Sequence, residues 1–319
     1  MRRNGSSLRQ SLLSFLVGGV SCLTSVAWND RHAMAQADAN AAGAVPAVGT
    51  AQPGSNAQSN ASATASATAV YPLDCIVKAT GEAVIVDRNL PGLFQWKDGQ
   101  LSVLIQGPKK FRQPLNAARS IAVEASGDLL VGDSSTREIY RIGGDGKLQP
   151  LTGGQIGIPI DIAVRADGSL VVGDMETRRV LSVSADGKQI KELGTLNPRG
   201  VFVDGKDQIW VVSQDAAQLQ VIGTDGKVRA VVSKRTFDFP HQVVVNSKGE
   251  AFVTDGYKKA IWKVVEGSEP QVVVSGAPLD NPVGLALIGD EIIVTDPRAA
   301  QVFKLVEGSK LEPWFAIKK

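Results

Sequence analysis

The sequence predicts an all-β fold made of repeats, and residues 159–187 show the pattern most clearly. Three apolar runs, at residues 162–164, 170–172 and 180–183, are separated by short polar segments that contain Asp and Gly. Short apolar runs of this kind are typical of β-strands, and Asp-Gly favours tight turns because glycine tolerates positive φ angles. The same pattern recurs through the rest of the chain after Val70.

The repeats number six. The landmark at the start of the first strand falls at Pro72, Ala118, Pro159, Pro198, Pro240 and Pro282, with spacings of 46, 41, 39, 42 and 42 residues. The residue that ends the second strand falls at Asp87, Asp133, Asp174, Ser213, Asp255 and Asp296, and an aliphatic residue follows six positions later each time. Four short strands in roughly 41 residues indicate a propeller blade. We therefore predict a six-bladed β-propeller of four-stranded antiparallel blades over residues 70–319.

The last predicted strand indicates how the circle of blades ends. Residues 311–317 are as apolar as an internal outer strand, whereas an open stack of repeats needs a polar capping unit. We expect blade six to close onto blade one by side-chain packing. An added strand from residues near Val70 is the alternative.

The chain begins with a segment typical of export. Three arginines in the first ten residues precede an uncharged run over residues 11–28, and Ala-Met-Ala at 33–35 forms a small-x-small cleavage pattern. We predict a signal peptide over residues 1–35 and a secreted or periplasmic, envelope-associated protein without a transmembrane segment in its mature form. An uncleaved membrane anchor is one alternative, since the run can just span a bilayer. A lipoprotein box at Cys22 is another, although Gly19 stands where a large aliphatic residue is expected.

Residues 36–69 consist largely of Ala, Ser, Thr, Gly, Asn and Gln. Such a segment cannot bury enough apolar surface to offset its ordering entropy, so we predict a flexible linker. Removal of residues 1–35 would leave 30 basic and 31 acidic residues, which provides no argument for nucleic-acid binding. Cys75 would then be the single cysteine, unable to form an internal disulfide, and its apolar strand predicts that it is buried.

The repeat units resemble NHL repeats and, more broadly, the six-bladed propellers of the gluconolactonase or regucalcin family. The resemblance rests on Pro-Ile-Asp-Ile-Ala-Val at 159–164, Val-Val-Gly-Asp at 171–174 and Arg-Val at 179–180, and it covers residues 71–319. It implies a fold that hosts many functions, so the function has to be argued from the site.

Five of the residues that end a second strand are aspartates, and they are expected on one face of the propeller. A circle of carboxylates could bind a metal ion. A strand-terminal Asp, however, commonly accepts backbone N–H bonds from the following turn, and we favour this structural role.

The residues that follow the first-strand landmarks are expected to crowd the mouth of the central channel on that same face. They are Leu73, Arg119, Ile160, Arg199, His241 and Val283. Gluconolactonase-like enzymes, as the resemblance implies, hold a divalent cation with a first-blade Glu and with Asn or Asp at Pro-Asn-Gly or Pro-Asp-Gly sites. This chain instead has Pro-Arg-Gly at 198–200 and Pro-Val-Gly at 282–284, so we predict no metal ion and no cofactor.

His241 is the one candidate for a catalytic residue. Lyases of related fold need several His residues, or a His with acidic partners, and the predicted mature chain contains only this imidazole. A single His cannot form a His-cluster metal site, although its ordinary pKa suits a general base.

Two loops between blades add cations interleaved with aromatic residues. They carry Lys109, Lys110 and Arg112 before blade two, and Lys234 and Arg235 before blade five. With Arg119, Arg199 and His241, they predict a surface for an anionic or carbohydrate ligand or a protein partner. The sequence thus favours a binding or scaffolding module, and the alternative is a gluconolactonase-like hydrolase or lyase acting at the channel mouth.

The predicted cleavage of the signal peptide can be tested by N-terminal sequencing of the exported protein. We expect the mature chain to begin at or near Gln36, because the cleavage pattern ends at Ala35. Recovery of chains that begin at Met1, and only from membranes, would establish an anchor instead.

Overall fold

The structure, a computed structural model, describes residues 71–317. It confirms the all-β class and the six-bladed propeller of four-stranded antiparallel blades. Each sheet consists of four strands consecutive in sequence, so no blade borrows a strand from another. The predicted signal peptide and linker lie outside the described residues, as do Ala69 and Val70. Among the described residues, no helix is long and apolar enough to cross a bilayer.

The first three blades contain strands β1 to β12. Blade one consists of β1 (Pro72–Val77), β2 (Ala83–Asp87), β3 (Gly92–Lys97) and β4 (Gln100–Gln106). Blade two consists of β5 (Ala118–Val123), β6 (Leu129–Asp133), β7 (Glu138–Ile142) and β8 (Leu148–Pro150). Blade three consists of β9 (Pro159–Val164), β10 (Leu170–Asp174), β11 (Arg179–Val183) and β12 (Ile190–Gly194).

The last three blades contain strands β13 to β24. Blade four consists of β13 (Pro198–Val203), β14 (Ile209–Ser213), β15 (Leu219–Ile222) and β16 (Val228–Val232). Blade five consists of β17 (Pro240–Val245), β18 (Ala251–Asp255), β19 (Ala260–Val264) and β20 (Gln271–Ser275). Blade six consists of β21 (Gly284–Ile288), β22 (Glu291–Asp296), β23 (Gln301–Val306) and β24 (Lys310–Ala316).

The sequence landmarks coincide with the strand ends in all but one place. All six second landmarks end the second strand of their blade, and five of the first landmarks are the first residue of a strand. In blade six the strand begins at Gly284, two residues after Pro282, although the N–H of Val283 already bonds the carbonyl of Thr295. At the turn between β3 and β4, Asp98 and Gly99 both have positive φ, at 49° and 80°, as a two-residue hairpin turn requires.

The strand-terminal aspartates hold the backbone before the first strand and after the second strand of their blade. The carboxylate of Asp174 accepts N–H bonds from Gly157 and Ile158, at 3.1 Å each, in the segment before β9. It also accepts N–H bonds from Glu176 and Thr177 in the turn after β10. The predicted structural role is confirmed, and the bonds to the preceding segment are an addition that the sequence did not predict.

Equivalent bonds recur in the other blades. Asp133, Asp255 and Asp296 are fully buried and each binds N–H groups of both segments. In blade four the landmark is Ser213, and the carboxylate of Asp215 accepts the N–H of Asn197 at 3.2 Å instead. The carboxylate in the turn therefore takes over a bond that the serine is too short to make.

The hydrophobic core consists of six clusters, each formed by two adjacent blades. The cluster between blades six and one closes the propeller, as predicted, by side-chain packing. In it Phe315 of β24 stacks on Trp96 of β3, with ring centroids 4.5 Å apart, and Ile317 is fully buried. Cys75 lies in the same cluster and is 1% exposed, which confirms the prediction that it is buried.

Replacement of Phe315 by Ala should destabilise the whole propeller, because the side chain is 3% exposed and joins the two terminal blades. Loss of a buried Phe costs about 3–5 kcal/mol of unfolding free energy. Urea denaturation would measure it, with Phe111→Ala as the matched control because Phe111 is 67% exposed. Equal midpoints for the two variants would show that closure does not depend on this contact.

Candidate functional site

The structure brings the six predicted mouth residues into one cavity. Leu73, Arg119, Ile160, Arg199, His241 and Val283 all line a space of about 320 Å³ at the end of the channel where the first strands begin. Each lies one position after its landmark, so the repeat itself places one side chain from every blade there. We call this space the arginine cavity.

Four arginines give this cavity its name: Arg88, Arg119, Arg199 and Arg298. None of them forms a salt bridge with an acidic residue of the described chain. Six other arginines do form salt bridges, namely Arg137, Arg141, Arg165, Arg178, Arg179 and Arg229. The arginine cavity therefore concentrates four guanidinium groups that form no salt bridge among residues 71–317.

Two of the four arginines, Arg119 and Arg199, are half-buried and form few hydrogen bonds. Arg119 donates a long bond of 3.4 Å to the hydroxyl of Ser134. Arg199 contacts the sulfur of Met175 at 3.1 Å, and its buried Nε has no hydrogen-bond partner in the structure. Burial lowers the pKa of both guanidinium groups, and repulsion from Arg88 lowers that of Arg119 while repulsion from Arg119 lowers that of Arg199. An anion bound between the two guanidinium groups would relieve the repulsion and accept charge-assisted bonds.

An aromatic wall stands beside these cations. Phe239 stacks on Tyr257, with centroids 4.6 Å apart, and the Arg199 guanidinium lies 5.0 Å from the centroid of Phe239. Across the cavity, Arg88 lies 5.7 Å from the ring centroid of Tyr71. Tyr257 is 67% exposed, so one face of the wall remains open to a ligand.

His241 is held as a neutral imidazole. Burial, and then repulsion from Arg199, lowers its pKa to about 4. Its Nε2 is buried without a hydrogen-bond partner, and a Cβ at Gly256 would lie 3.1 Å from that atom. A group with this pKa is a weak general base near neutral pH.

The floor of the arginine cavity consists of Asp74 and Gln242, which also line a second cavity on the far side. They belong to a layer two positions after the landmarks, in which side chains reach across to the next blade. Asp74 accepts the N–H of Ile121 at 3.0 Å, and Gln242 accepts that of Leu285 at 2.6 Å. Asp161 similarly accepts the N–H of Val201 at 2.9 Å.

Small residues occupy the alternate blades of this floor layer. They are Ser120, Gly200 and Gly284. A Cβ at Gly200 would lie 2.8 Å from both the Cα of Gln242 and the carbonyl oxygen of His241. Because the channel has room for only three long side chains, the other three blades must carry small ones.

The five loop cations do not line the arginine cavity, and the predicted surface that would combine them with Arg119, Arg199 and His241 stays a prediction. Lys234 pairs with Glu269 at 3.2 Å, and Arg112 lies 5.9 Å from the ring centroid of Phe111. Lys109, Lys110 and Arg235 are exposed outside the cavity. Of the residues of these two loops, Phe239 alone lines the cavity.

Sequence analysis missed several residues that line the cavity. Arg88, Tyr257 and Arg298 lie in the turns one or two positions after a strand-terminal aspartate, while Tyr71 and Asn281 precede a first strand. The sequence could have indicated these residues only by their position. The turns after the second strands and the segments before the first strands lie on the same face of the propeller as the strand-terminal aspartates.

Comparisons with known proteins show the fold alone. No protein-family model matches the chain, and no curated protein matches it. Among solved structures it is similar to virginiamycin B lyase from Staphylococcus aureus, with 15% identity, a TM-score of 0.60 and coverage of 77% of this chain and 84% of the lyase. A chain of a nidogen–laminin complex matches with 16% identity, a TM-score of 0.60 and coverage of 76% and 92%. A gluconolactonase from Xanthomonas campestris matches with 18% identity, a TM-score of 0.60 and coverage of 72% and 84%.

The depressed pKa of His241 predicts a pH-dependent contribution to stability. Between pH 4 and 6.5 the unfolded chain binds a proton that the folded chain excludes, so stability falls as the pH is lowered through this window. Relative to His241→Gln, the wild-type protein should lose up to about 3 kcal/mol of unfolding free energy on going from pH 7 to pH 4.

The comparison of the wild-type protein with His241→Gln also cancels a second pH-dependent contribution to stability, which has the opposite sign. Burial raises the pKa of Asp74 to about 6, which favours the folded state towards acid pH in the same window. This carboxyl is present in both proteins and cancels in the difference. Urea denaturation between pH 4 and 7.5 is the measurement, and a difference that stays constant with pH would contradict the assignment.

Proposed function

We propose that the protein is an exported binding module that takes an anionic ligand, or the anionic group of a carbohydrate or protein partner, in the arginine cavity. The observation that carries the proposal is the set of four arginines that line one cavity and form no salt bridge within the part of the chain that the structure describes. No cofactor of its own is required for this role. The predicted signal peptide over residues 1–35 and the linker over residues 36–69 support an address in the secreted fraction or cell envelope.

The electrostatics favour an anion over a neutral ligand. Half-burial of Arg119 and Arg199 removes part of their hydration, and the nearby positive charges repel one another. Charge-assisted bonds from guanidinium to carboxylate or phosphate are short and strong, and Arg can form two of them in parallel. Two further arginines at the exposed rim, Arg88 and Arg298, extend the positive field into solvent and would increase the rate of anion capture.

The shape of the cavity limits the ligand. A volume of about 320 Å³ is at the lower end of ordinary small-molecule sites, so a single sugar acid or aromatic acid fits better than a folded segment. The face formed by Phe239 and Tyr257 provides a stacking surface for a flat body or a sugar ring next to the cations. A longer carbohydrate or peptide could bind only through one terminal group inserted here.

A hydrolase or lyase is the second candidate, and Asp74 is the observation that favours it. Its carboxyl lines the arginine cavity and has a pKa raised by burial to about 6, so near neutral pH it can exchange a proton. The nearby arginines could stabilise negative charge that develops on a substrate oxygen. Assays of wild type and Asp74→Asn with sugar lactones, together with the metal content of the purified protein, separate this candidate from pure binding.

The binding proposal predicts that Arg119→Gln combined with Arg199→Gln abolishes anion binding and leaves the fold intact. Benzoate and inorganic phosphate are suitable probes, with benzyl alcohol as the neutral analogue, and isothermal titration calorimetry measures their affinity. In the wild-type protein, affinity for the anions should decrease with added salt because screening weakens the attraction.

The matched control removes two arginines that already have partners. Arg137→Gln with Arg178→Gln changes the net charge equally, but those side chains pair with Glu176 and Asp215 on the surface. This control should bind the anions as the wild type does. Equal losses in both double variants would mean that only net charge matters, and unchanged binding in the cavity variant would move the functional surface away from the arginine cavity.

A further inference from the structure

The channel has a second cavity on the opposite side of Asp74 and Gln242. It measures about 300 Å³ and is lined by the later residues of all six first strands. Its walls are apolar, with Val77, Val123, Val164, Val203, Phe202 and Leu287 half-buried near its open end. Its closed end is polar and is formed by Asp74, Asp161 and Gln242. The second cavity thus has apolar walls and two acidic groups at its closed end, whereas the arginine cavity is lined by positively charged side chains.

The two carboxyl groups at the closed end lack a counter-ion. Asp74 is 3% exposed and Asp161 is 5% exposed, and neither forms a salt bridge within the described chain. A buried carboxylate is costly unless it is paired with a cation. Burial raises the pKa of both groups, and repulsion by Asp74 raises that of Asp161 further.

Existing hydrogen bonds leave these carboxyl oxygens room for another donor. Asp161 accepts the N–H of Ile162 at 2.9 Å and of Val201 at 2.9 Å, and the Nε2 of Gln242 lies 3.3 Å from its Oδ1. Two carboxylate oxygens offer about four acceptor positions. One donor with positive charge would use the remaining position and offset the charge of one carboxylate.

We propose that the second cavity binds a primary ammonium ligand with an apolar tail. The ammonium group lies against Asp161 and Asp74 at the closed end, and the tail lies along the valine-rich walls. An ammonium has three donors and a compact charge, which suits two converging carboxylates. A carboxylate of the same length carries the wrong charge for this end of the cavity, and an alcohol of the same length has no positive charge to offset an ionised carboxylate.

A metal ion fits this cavity less well than an organic cation. Calcium takes six to eight oxygen ligands, whereas the closed end offers two carboxyl groups and one amide within apolar walls. No group of three or more His, Cys, Asp or Glu side chains suited to a metal ion occurs in residues 71–317. The apolar walls would add affinity only for a ligand that carries hydrocarbon.

The second cavity shares Asp74 and Gln242 with the arginine cavity, but Asp161 lines the second cavity alone. The other charged or titratable groups near the pair are the thiol of Cys75, beside Asp74, and the arginines and His241 beyond the floor. A test at Asp161 therefore distinguishes failure of this site from failure of the proposed function, which is tested at Arg119 and Arg199.

The test measures the affinity of hexylammonium, 1-hexanol and hexanoate for the full-length protein at pH 7.5 by calorimetry. Hexylammonium should bind at least tenfold more tightly than 1-hexanol, and hexanoate should not bind in the second cavity. Asp161→Asn should weaken hexylammonium binding at least tenfold. Glu192→Gln is the control, because it removes a carboxylate that pairs with Arg179 on the surface and lines neither cavity.

Asp161→Asn places an amide against two backbone donors and could fail to fold, so a second measurement uses the wild-type protein alone. Hexylammonium should shift the amide ¹⁵N and ¹H resonances of Ile162 and Val201, whose N–H groups bond Asp161. Equal affinity for 1-hexanol and hexylammonium would overturn the proposal. Shifts confined to residues of the arginine cavity, such as Arg199 and His241, would overturn it as well.

Discussion

Buried carboxylates that bond backbone N–H groups are the interaction on which the rest of this propeller depends. Five of the six blades end their second strand with an Asp that binds both the following turn and the segment before the first strand. In blade four Asp215 takes over the bond to the preceding segment. These bonds fix where each chain segment enters the channel. They therefore determine where the next side chains, those of the channel mouth, can lie.

The hydrogen bonds of the strand-terminal aspartates also explain why the mouth of the channel is positively charged. The carboxylates of Asp133, Asp174, Asp255 and Asp296 are buried and bonded to the backbone, and within residues 71–317 none of them forms a salt bridge with the arginines that line the arginine cavity. Within the described residues, Arg119 contacts the hydroxyl of Ser134, and Arg199 contacts the sulfur of Met175 and the ring of Phe239. A nearly neutral protein thus presents a strongly cationic cavity through the segregation of its charges, without an excess of basic residues.

The floor layer divides the channel into two environments. Asp74, Asp161 and Gln242 each cross to the neighbouring blade, and Ser120, Gly200 and Gly284 leave them the necessary space. On one side of this layer the lining is cationic and aromatic, and on the other side it is aliphatic with two acids at its end. The floor layer therefore divides the channel into two cavities whose linings differ in charge.

The sequence by itself determined the class, the number of blades, the strand-terminal landmarks and the six mouth positions, because each of these recurs at a regular spacing. Local preferences of Asp-Gly turns and alternating strands are enough to reveal such a repeat. Tertiary structure alone decided which cations share a cavity. Lys109 and Arg235 lie on loops outside it, whereas Arg88 and Arg298, distant in sequence, converge because blades one and six are neighbours in the closed propeller. Tertiary structure also decided the direction in which the pKa values of Asp74, Asp161 and His241 shift. Desolvation and neighbouring charge depend on contacts between blades that no single repeat contains.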